Sequence, residues 1–98
     1  MAYNLIVSLR AQNEIADAVE YYSLRSTHAP DKFIVELDNT YKTLEEYPFF
    51  AVRYKNVRSI KLKSFPYSLY FTVNDKKGTV IVLSCFQNKQ DPYKRPRF

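Results

Sequence analysis

The sequence contains few of the residues that build metal sites, disulfide bonds or flexible linkers. Its 98 residues include one cysteine, one histidine, one glycine and no tryptophan. The single cysteine, Cys85, excludes an internal disulfide bond, and together with His28 it leaves too few soft ligands for a zinc site. We therefore expect a protein that works without a metal or another cofactor.

Long apolar runs are missing as well. A run such as Val80 to Phe86 is far shorter than the ~20 residues that cross a bilayer. The N-terminus also lacks the charged and then apolar order of a signal peptide. We expect a cytoplasmic protein with no membrane partner, folded as one domain over residues 1–98, because a chain of this length supports one hydrophobic core.

Acidic residues are scarce in the second half of the chain. Residues 1–51 hold four bases against eight acids, a net charge of −4, whereas residues 52–98 hold eleven bases against two acids, a net charge of +9. A positive field of this kind attracts phosphate backbones or an acidic protein segment over a long range. Ordinary solubility is the alternative explanation of the same charge.

The first half has the pattern of one strand and two helices. Residues 3–8 alternate in polarity, which predicts a short strand, and Ser8 suits the N-cap of a following helix. Apolar residues recur at helical spacing to about Ser26, and a second stripe runs from Pro30 to a stop at Pro48. The second stripe consists of Phe33, Leu37, Tyr41 and Leu44. Each helix has one apolar stripe, so both need a sheet to pack against.

In the second half the apolar period becomes alternating, which predicts β-strands. The predicted strands cover residues 58–63, 67–73 and 79–86, and residues 87–98 form a basic, proline-containing surface tail. The complete order predicts an α+β fold. It consists of an N-terminal strand, a two-helix hairpin and a three-stranded antiparallel meander, with the helices on one face of the sheet and the other face open.

In this order, the elements resemble the RelE/ParE toxin superfamily of type II toxin–antitoxin systems. The resemblance runs over nearly the whole chain. The residues that carry it are Ser8, Ala11, Ile15 and Tyr21-Tyr22, then Phe33, Leu37, Leu44 and Tyr47-Pro48, then Ile60-Lys61-Leu62 and Phe65-Pro66-Tyr67-Ser68-Leu69-Tyr70, and finally Val82-Leu83 and Asp91-Pro92. The superfamily contains both ribosome-dependent messenger RNA endonucleases and poisons of DNA gyrase, so the fold alone does not fix the chemistry.

The nuclease branch implies a particular set of site residues. In RelE-like nucleases, strand lysines, arginines on later strands and a tyrosine near the C-terminus surround the scissile phosphate. The matching candidates here are catalytic Lys61, Lys63 and Tyr93, and target-binding or nucleic-acid-binding Arg58, Lys89, Lys94 and Arg95. The match is partial, because Ser68 stands where that branch has an arginine, and residues 86–88 are uncharged where it is basic. From the residues alone, the two lysines also fit a solvated strand face, and the tyrosine fits a tail anchor.

Three functions follow from the resemblance. The missing basic residues favour a toxin that binds a protein target such as DNA gyrase, in the manner of ParE. The positive second half favours a metal-independent mRNA endoribonuclease that acts on the ribosome. The third alternative is a non-toxic regulator that binds an antitoxin. In each case the resemblance implies a small, acidic, partly disordered antitoxin that covers the basic face near Arg58, Lys61 and Lys63.

Overall fold

Residues 2–89 are described by the structure, a computed structural model, and they form one sheet with two helices packed on it. In chain order the elements are β1 (Asn4–Val7), α1 (Leu9–Ser23), α2 (Ala29–Glu46), β2 (Val52–Tyr54), β3 (Val57–Lys61), β4 (Tyr67–Asn74) and β5 (Thr79–Gln87). The strands lie in the order β1-β5-β4-β3-β2, with β1 parallel to β5 and the other pairs antiparallel. The predicted α+β fold is confirmed.

Local sequence explains where the helices begin. The Ser8 hydroxyl accepts a hydrogen bond from the Ala11 N–H (3.1 Å) and donates one to the Leu83 carbonyl (3.0 Å), so the N-cap of α1 also ties this helix to β5. Pro30 lies in the first turn of α2, where the N–H that proline lacks would have no helical partner. Neither helix is both long enough and apolar enough to cross a membrane.

Both helices pack on the same face of the sheet. Their buried side chains meet those of β4 and β5 in one continuous core. The fully or almost fully buried members are Ala11, Ala18, Phe33, Leu37, Leu44, Leu62, Leu69, Phe71, Val80, Val82 and Cys85. The alternating apolar residues of β4 therefore face the helices, as the sequence predicted.

The β3 edge of the sheet differs from the prediction. An additional short strand, β2, pairs with the start of β3 and is exposed along its whole length. β3 ends at Lys61, so Lys63, which we predicted to lie on this strand, belongs to the following loop. The chain turns there because the Leu62 N–H donates to the Tyr67 carbonyl (2.9 Å) across a tight loop that contains Pro66.

The second face of the sheet is not fully open, contrary to expectation. Phe86 pairs with Ser68, which alternates with the core residues of β4, so Phe86 lies on the face away from the helices. Only 4% of Phe86 is exposed, and its ring lies 6.4 Å from that of Tyr70. This part of the second face is therefore covered.

Candidate partner-binding surface

A groove of about 990 Å³ separates α2 from the β3 edge of the sheet. α2 packs closely against α1 and β1, and the groove lies between its outer side and β3. Its apolar lining comes from Val35 on α2, Phe50 before β2, Ile60 on β3 and Phe65 after β3. Val35 is 59% exposed although its side chain is apolar. An open apolar groove of this size is a surface that suits a partner.

The rim of the groove carries exposed lysines. Lys61 and Lys63 lie on the strand side and Lys32 lies on the helix side. Glu36 also lines the groove, but both of its carboxylate oxygens accept the Ser64 N–H (3.1 and 3.0 Å). This contact fixes the loop that carries Lys63 against α2. The structure therefore places two of the predicted site residues, Lys61 and Lys63, on one rim.

Arg58, predicted as a target-binding residue, makes contacts within the protein. Its guanidinium donates a hydrogen bond to the Phe50 carbonyl (2.6 Å) and lies 5.6 Å from the centre of the Phe49 ring. Its register partner on β4 is the core residue Phe71, so Arg58 faces the helical side of the sheet. These contacts hold the segment before β2 against β3 and leave the arginine half-buried.

Ser68 lies directly opposite Lys61 in the β3–β4 register. The Ser68 hydroxyl donates to the Asn88 side-chain oxygen (2.9 Å), and the Asn88 N–H donates to the Pro66 carbonyl (2.7 Å). An uncharged hydrogen-bonded link thus occupies the place where the nuclease branch has an arginine. Lys61 has no second cation across the strand pair.

The remaining predicted residues belong to the C-terminal segment. Lys89 is exposed in the turn that follows β5. Tyr93, Lys94 and Arg95 lie outside the described residues. Their proposed roles beside Lys61 and Lys63 stay predictions.

A second depression, of about 370 Å³, lies between α1 and the ends of β4 and β5. Its lining residues are Glu14, Asp17, Ala18, Tyr21, Tyr67, Cys85, Phe86 and Gln87. The Glu14 carboxylate accepts hydrogen bonds from the Ser84 hydroxyl (2.7 Å) and the Cys85 N–H (3.1 Å). Burial raises the pKa of the Cys85 thiol to about 12, and the charge of Glu14 adds to the rise. Cys85 is therefore a protonated core thiol at neutral pH rather than a nucleophile.

Sequence reasoning missed the apolar part of the groove. Val35 is an apolar residue of α2 that lies outside the apolar stripe of this helix. That position is a sequence signal that could have identified Val35 as part of a binding surface. Phe50 and Ile60 gave no such signal, because their meeting depends on how α2 sits over the sheet.

Among residues 2–89, no group of three or more His, Cys, Asp or Glu could hold a metal ion.

Comparisons with known proteins agree with this architecture. The sequence pattern of the ParE toxin of the type II toxin–antitoxin system parDE matches residues 5–92. The fold is similar to a chain of the chromosomal ParDE toxin–antitoxin system from P. aeruginosa (TM-score 0.70, 16% identity, covering 88% of this chain and 96% of that chain). It is also similar to a chain of the intact E. coli RelBE toxin–antitoxin complex (TM-score 0.65, 24% identity, covering 91% of this chain and 100% of that chain). A search of curated proteins found no match.

The fold and the matched sequence pattern define a toxin of the RelE/ParE kind. Because the pattern spans residues 5–92, the chain belongs to the ParE toxin family of type II toxin–antitoxin systems. The resemblance seen in the sequence is thereby confirmed, and the protein is the toxin component whose partner is an antitoxin.

Proposed function

We propose that this toxin acts by binding a protein target, DNA gyrase or a similar enzyme, and does not cleave messenger RNA. The observation that carries the proposal is that, within residues 2–89, neither Arg58 nor the position of Ser68 supplies a second cation beside Lys61. Arg58 is held by Phe50 on the helical side, and Ser68 is held by Asn88. Metal-independent RNA cleavage needs a base, an acid and cations around one phosphate, and the described residues do not assemble them.

A ribosome-dependent endoribonuclease is the second candidate. Lys61 and Lys63 are exposed on one rim, in the half of the chain whose net charge is +9. Such a rim can contact the phosphates of messenger RNA or ribosomal RNA.

Two assays on the purified toxin separate these candidates. One is supercoiling of plasmid DNA by gyrase, and the other is cell-free translation of a defined message with 5′ ends mapped by primer extension, with and without ribosomes. We expect inhibition of supercoiling and an intact message. Discrete cleavage that requires ribosomes would overturn the proposal, and no effect in either assay or on cell growth would indicate the non-toxic regulator.

The double variant Lys61→Glu/Lys63→Glu tests the rim directly. Its matched control is Lys76→Glu/Lys77→Glu, which makes the same charge change in the exposed β4–β5 hairpin. A nuclease would lose cleavage in the first variant only. We expect gyrase inhibition to persist in both variants if the target is bound through other surfaces of the toxin.

We further propose that the antitoxin contributes an amphipathic, acidic segment that covers the groove between α2 and β3. The groove supplies apolar surface from Val35, Phe50 and Ile60, and the exposed lysines of its rim attract carboxylates. A segment that folds as it binds can use both features at once.

Hydrogen exchange of the free toxin and of the toxin–antitoxin complex tests this proposal. We expect the amides of residues 57–65 and the middle of α2 to gain protection in the complex. Protection confined to α1, with the β3 edge unchanged, would show that inhibition does not depend on covering this groove.

A further inference from the structure

The ribbon formed by β2 and β3, residues 52–61, is basic and free of acids. It contains Arg53, Lys55, Arg58 and Lys61 and no aspartate or glutamate. β2 is the edge strand of the sheet, and its residues are exposed along the whole strand. A ribbon that carries charge of one sign at a free edge of the sheet presents a positive field to an anionic partner.

Two cations of the β2–β3 ribbon are held in place by uncharged neighbours. The Arg53 Nε–H donates a hydrogen bond to the Ser59 hydroxyl (3.1 Å), a contact that uses one of the five N–H donors of the guanidinium. The Lys55 ammonium lies 5.4 Å from the centre of the Tyr54 ring. Within residues 2–89, neither cation forms an ion pair with a carboxylate. Both charges are therefore oriented without being neutralised.

We propose that the β2–β3 ribbon binds the phosphate backbone of duplex DNA through Arg53 and Lys55. The major groove of B-DNA is about 12 Å wide and admits a two-stranded β-ribbon, whereas the major groove of double-stranded RNA is too deep and narrow for side chains to read. Proteins hold single-stranded RNA by stacking its bases on several aromatic side chains, and Tyr54 is the one aromatic residue of this ribbon. The architecture of the ribbon thus favours duplex DNA.

This DNA contact goes beyond the proposed target binding and requires neither gyrase nor an antitoxin. Arg53 and Lys55 do not line the groove between α2 and β3, so DNA and an antitoxin segment in that groove would use different residues. Contacts to phosphates carry no sequence information, so we expect the ribbon to bind duplexes of any sequence.

Fluorescence anisotropy of a labelled duplex of about 20 base pairs, at about 50 to 200 mM salt, tests the proposal with the purified toxin alone. The variant is Arg53→Ala/Lys55→Ala. Loss of two phosphate contacts should reduce the slope of log Kd against log salt by about 2 and raise the Kd about tenfold at the lowest salt. The matched control Lys76→Ala/Lys77→Ala removes the same charge from the exposed β4–β5 hairpin and should raise the Kd by less than about threefold.

A charge-preserving exchange provides the second control. Arg53→Lys/Lys55→Arg retains both cations and should keep the salt slope of the parent, and circular dichroism should confirm that each variant is folded. A single-stranded RNA of the same length should bind less tightly than the duplex. Equal losses of affinity in the two alanine variants would overturn the proposal. Tighter binding of the RNA, or an affinity for duplex DNA that does not change with salt, would overturn it as well.

Discussion

Among residues 2–89, two have left-handed backbone conformations, and only one of these two is a glycine. Gly78 has φ +63° in the β4–β5 turn, and a Cβ at this position would meet no atom within 4 Å. Lys55 has φ +53° in the β2–β3 turn. At both positions a side chain strains the backbone, and at Gly78 packing adds no further cost.

The variants Gly78→Ala and Lys55→Gly should therefore have opposite effects. We expect Gly78→Ala to lower the free energy of unfolding by about 1 kcal/mol. Lys55→Gly should raise it by about 0.5 kcal/mol, because relief of strain is partly offset by the greater freedom of glycine in the unfolded chain. Urea denaturation measures both changes, and shifts of the same sign would show that packing decides at one of the turns.

Cys85 gives a pH dependence that the sequence did not predict. Burial raises the pKa of its thiol from 9.0 to about 12, and burial raises the pKa of Tyr67 from 10.0 to about 12. Folding therefore favours the protonated forms of both groups. This contribution to stability is complete below the unfolded pKa values and is lost as the pH rises towards the folded ones.

We accordingly expect the free energy of unfolding to fall between pH 9.0 and about 12. In Cys85→Ala the fall should begin nearer to pH 10.0, where the tyrosines of the unfolded chain start to ionise. Urea denaturation at several pH values measures this onset. An identical onset in the parent and the variant would contradict the role given to the buried thiol.

Among the elements, α1 and β5 are joined by both polar and apolar contacts. The N-cap Ser8 bonds to Leu83, and Glu14 bonds to Ser84 and to the Cys85 N–H. Ser84 is fully buried. Without Glu14, its hydroxyl and the neighbouring N–H would lose their partner, and an unsatisfied buried donor is costly.

Glu14→Ala should therefore lower the free energy of unfolding by about 2 kcal/mol. The control Glu20→Ala removes the same charge from an exposed position of α1 and should change it by less than about 0.5 kcal/mol. Chemical denaturation measures both variants, and adding Ser84→Ala and the double variant Glu14→Ala/Ser84→Ala completes a double-mutant cycle. Additive effects of Glu14→Ala and Ser84→Ala would show that the hydrogen bond contributes nothing.

The helices and strands also show which parts of the fold can be predicted from sequence patterns. The apolar stripe of α2 and the alternation of β4 located these elements because each pattern extends over several residues. β2 was missed because it has only three residues, Val52–Tyr54, which are too few for an alternating pattern to identify a strand. The end of β3 was placed too late because Lys63 continues the alternation of Lys61, while the bond between Leu62 and Tyr67 ends the strand.

On the scale of the whole molecule, the candidate site combines a part that the sequence predicts with a part that it does not. Lys61 and Lys63 were found from charge and resemblance, and the structure places both on the rim of the groove. The apolar wall was not found, because Val35, Phe50 and Ile60 come from three separate segments. Periodicity locates elements, whereas a groove depends on the way in which the elements pack.

Neighbouring residues of α2 allow a sharp test of this groove as the antitoxin site. Val35 and Ile34 are both exposed apolar residues, 59% and 40% exposed, but only Val35 lines the groove. Val35→Asp places a carboxylate in the apolar wall, where an acidic antitoxin segment would meet it. We expect Val35→Asp to raise the Kd for the antitoxin by at least about tenfold. Ile34→Asp should raise the same Kd by less than about threefold. Calorimetric titration measures both values, and equal losses of affinity would place the antitoxin elsewhere on the toxin.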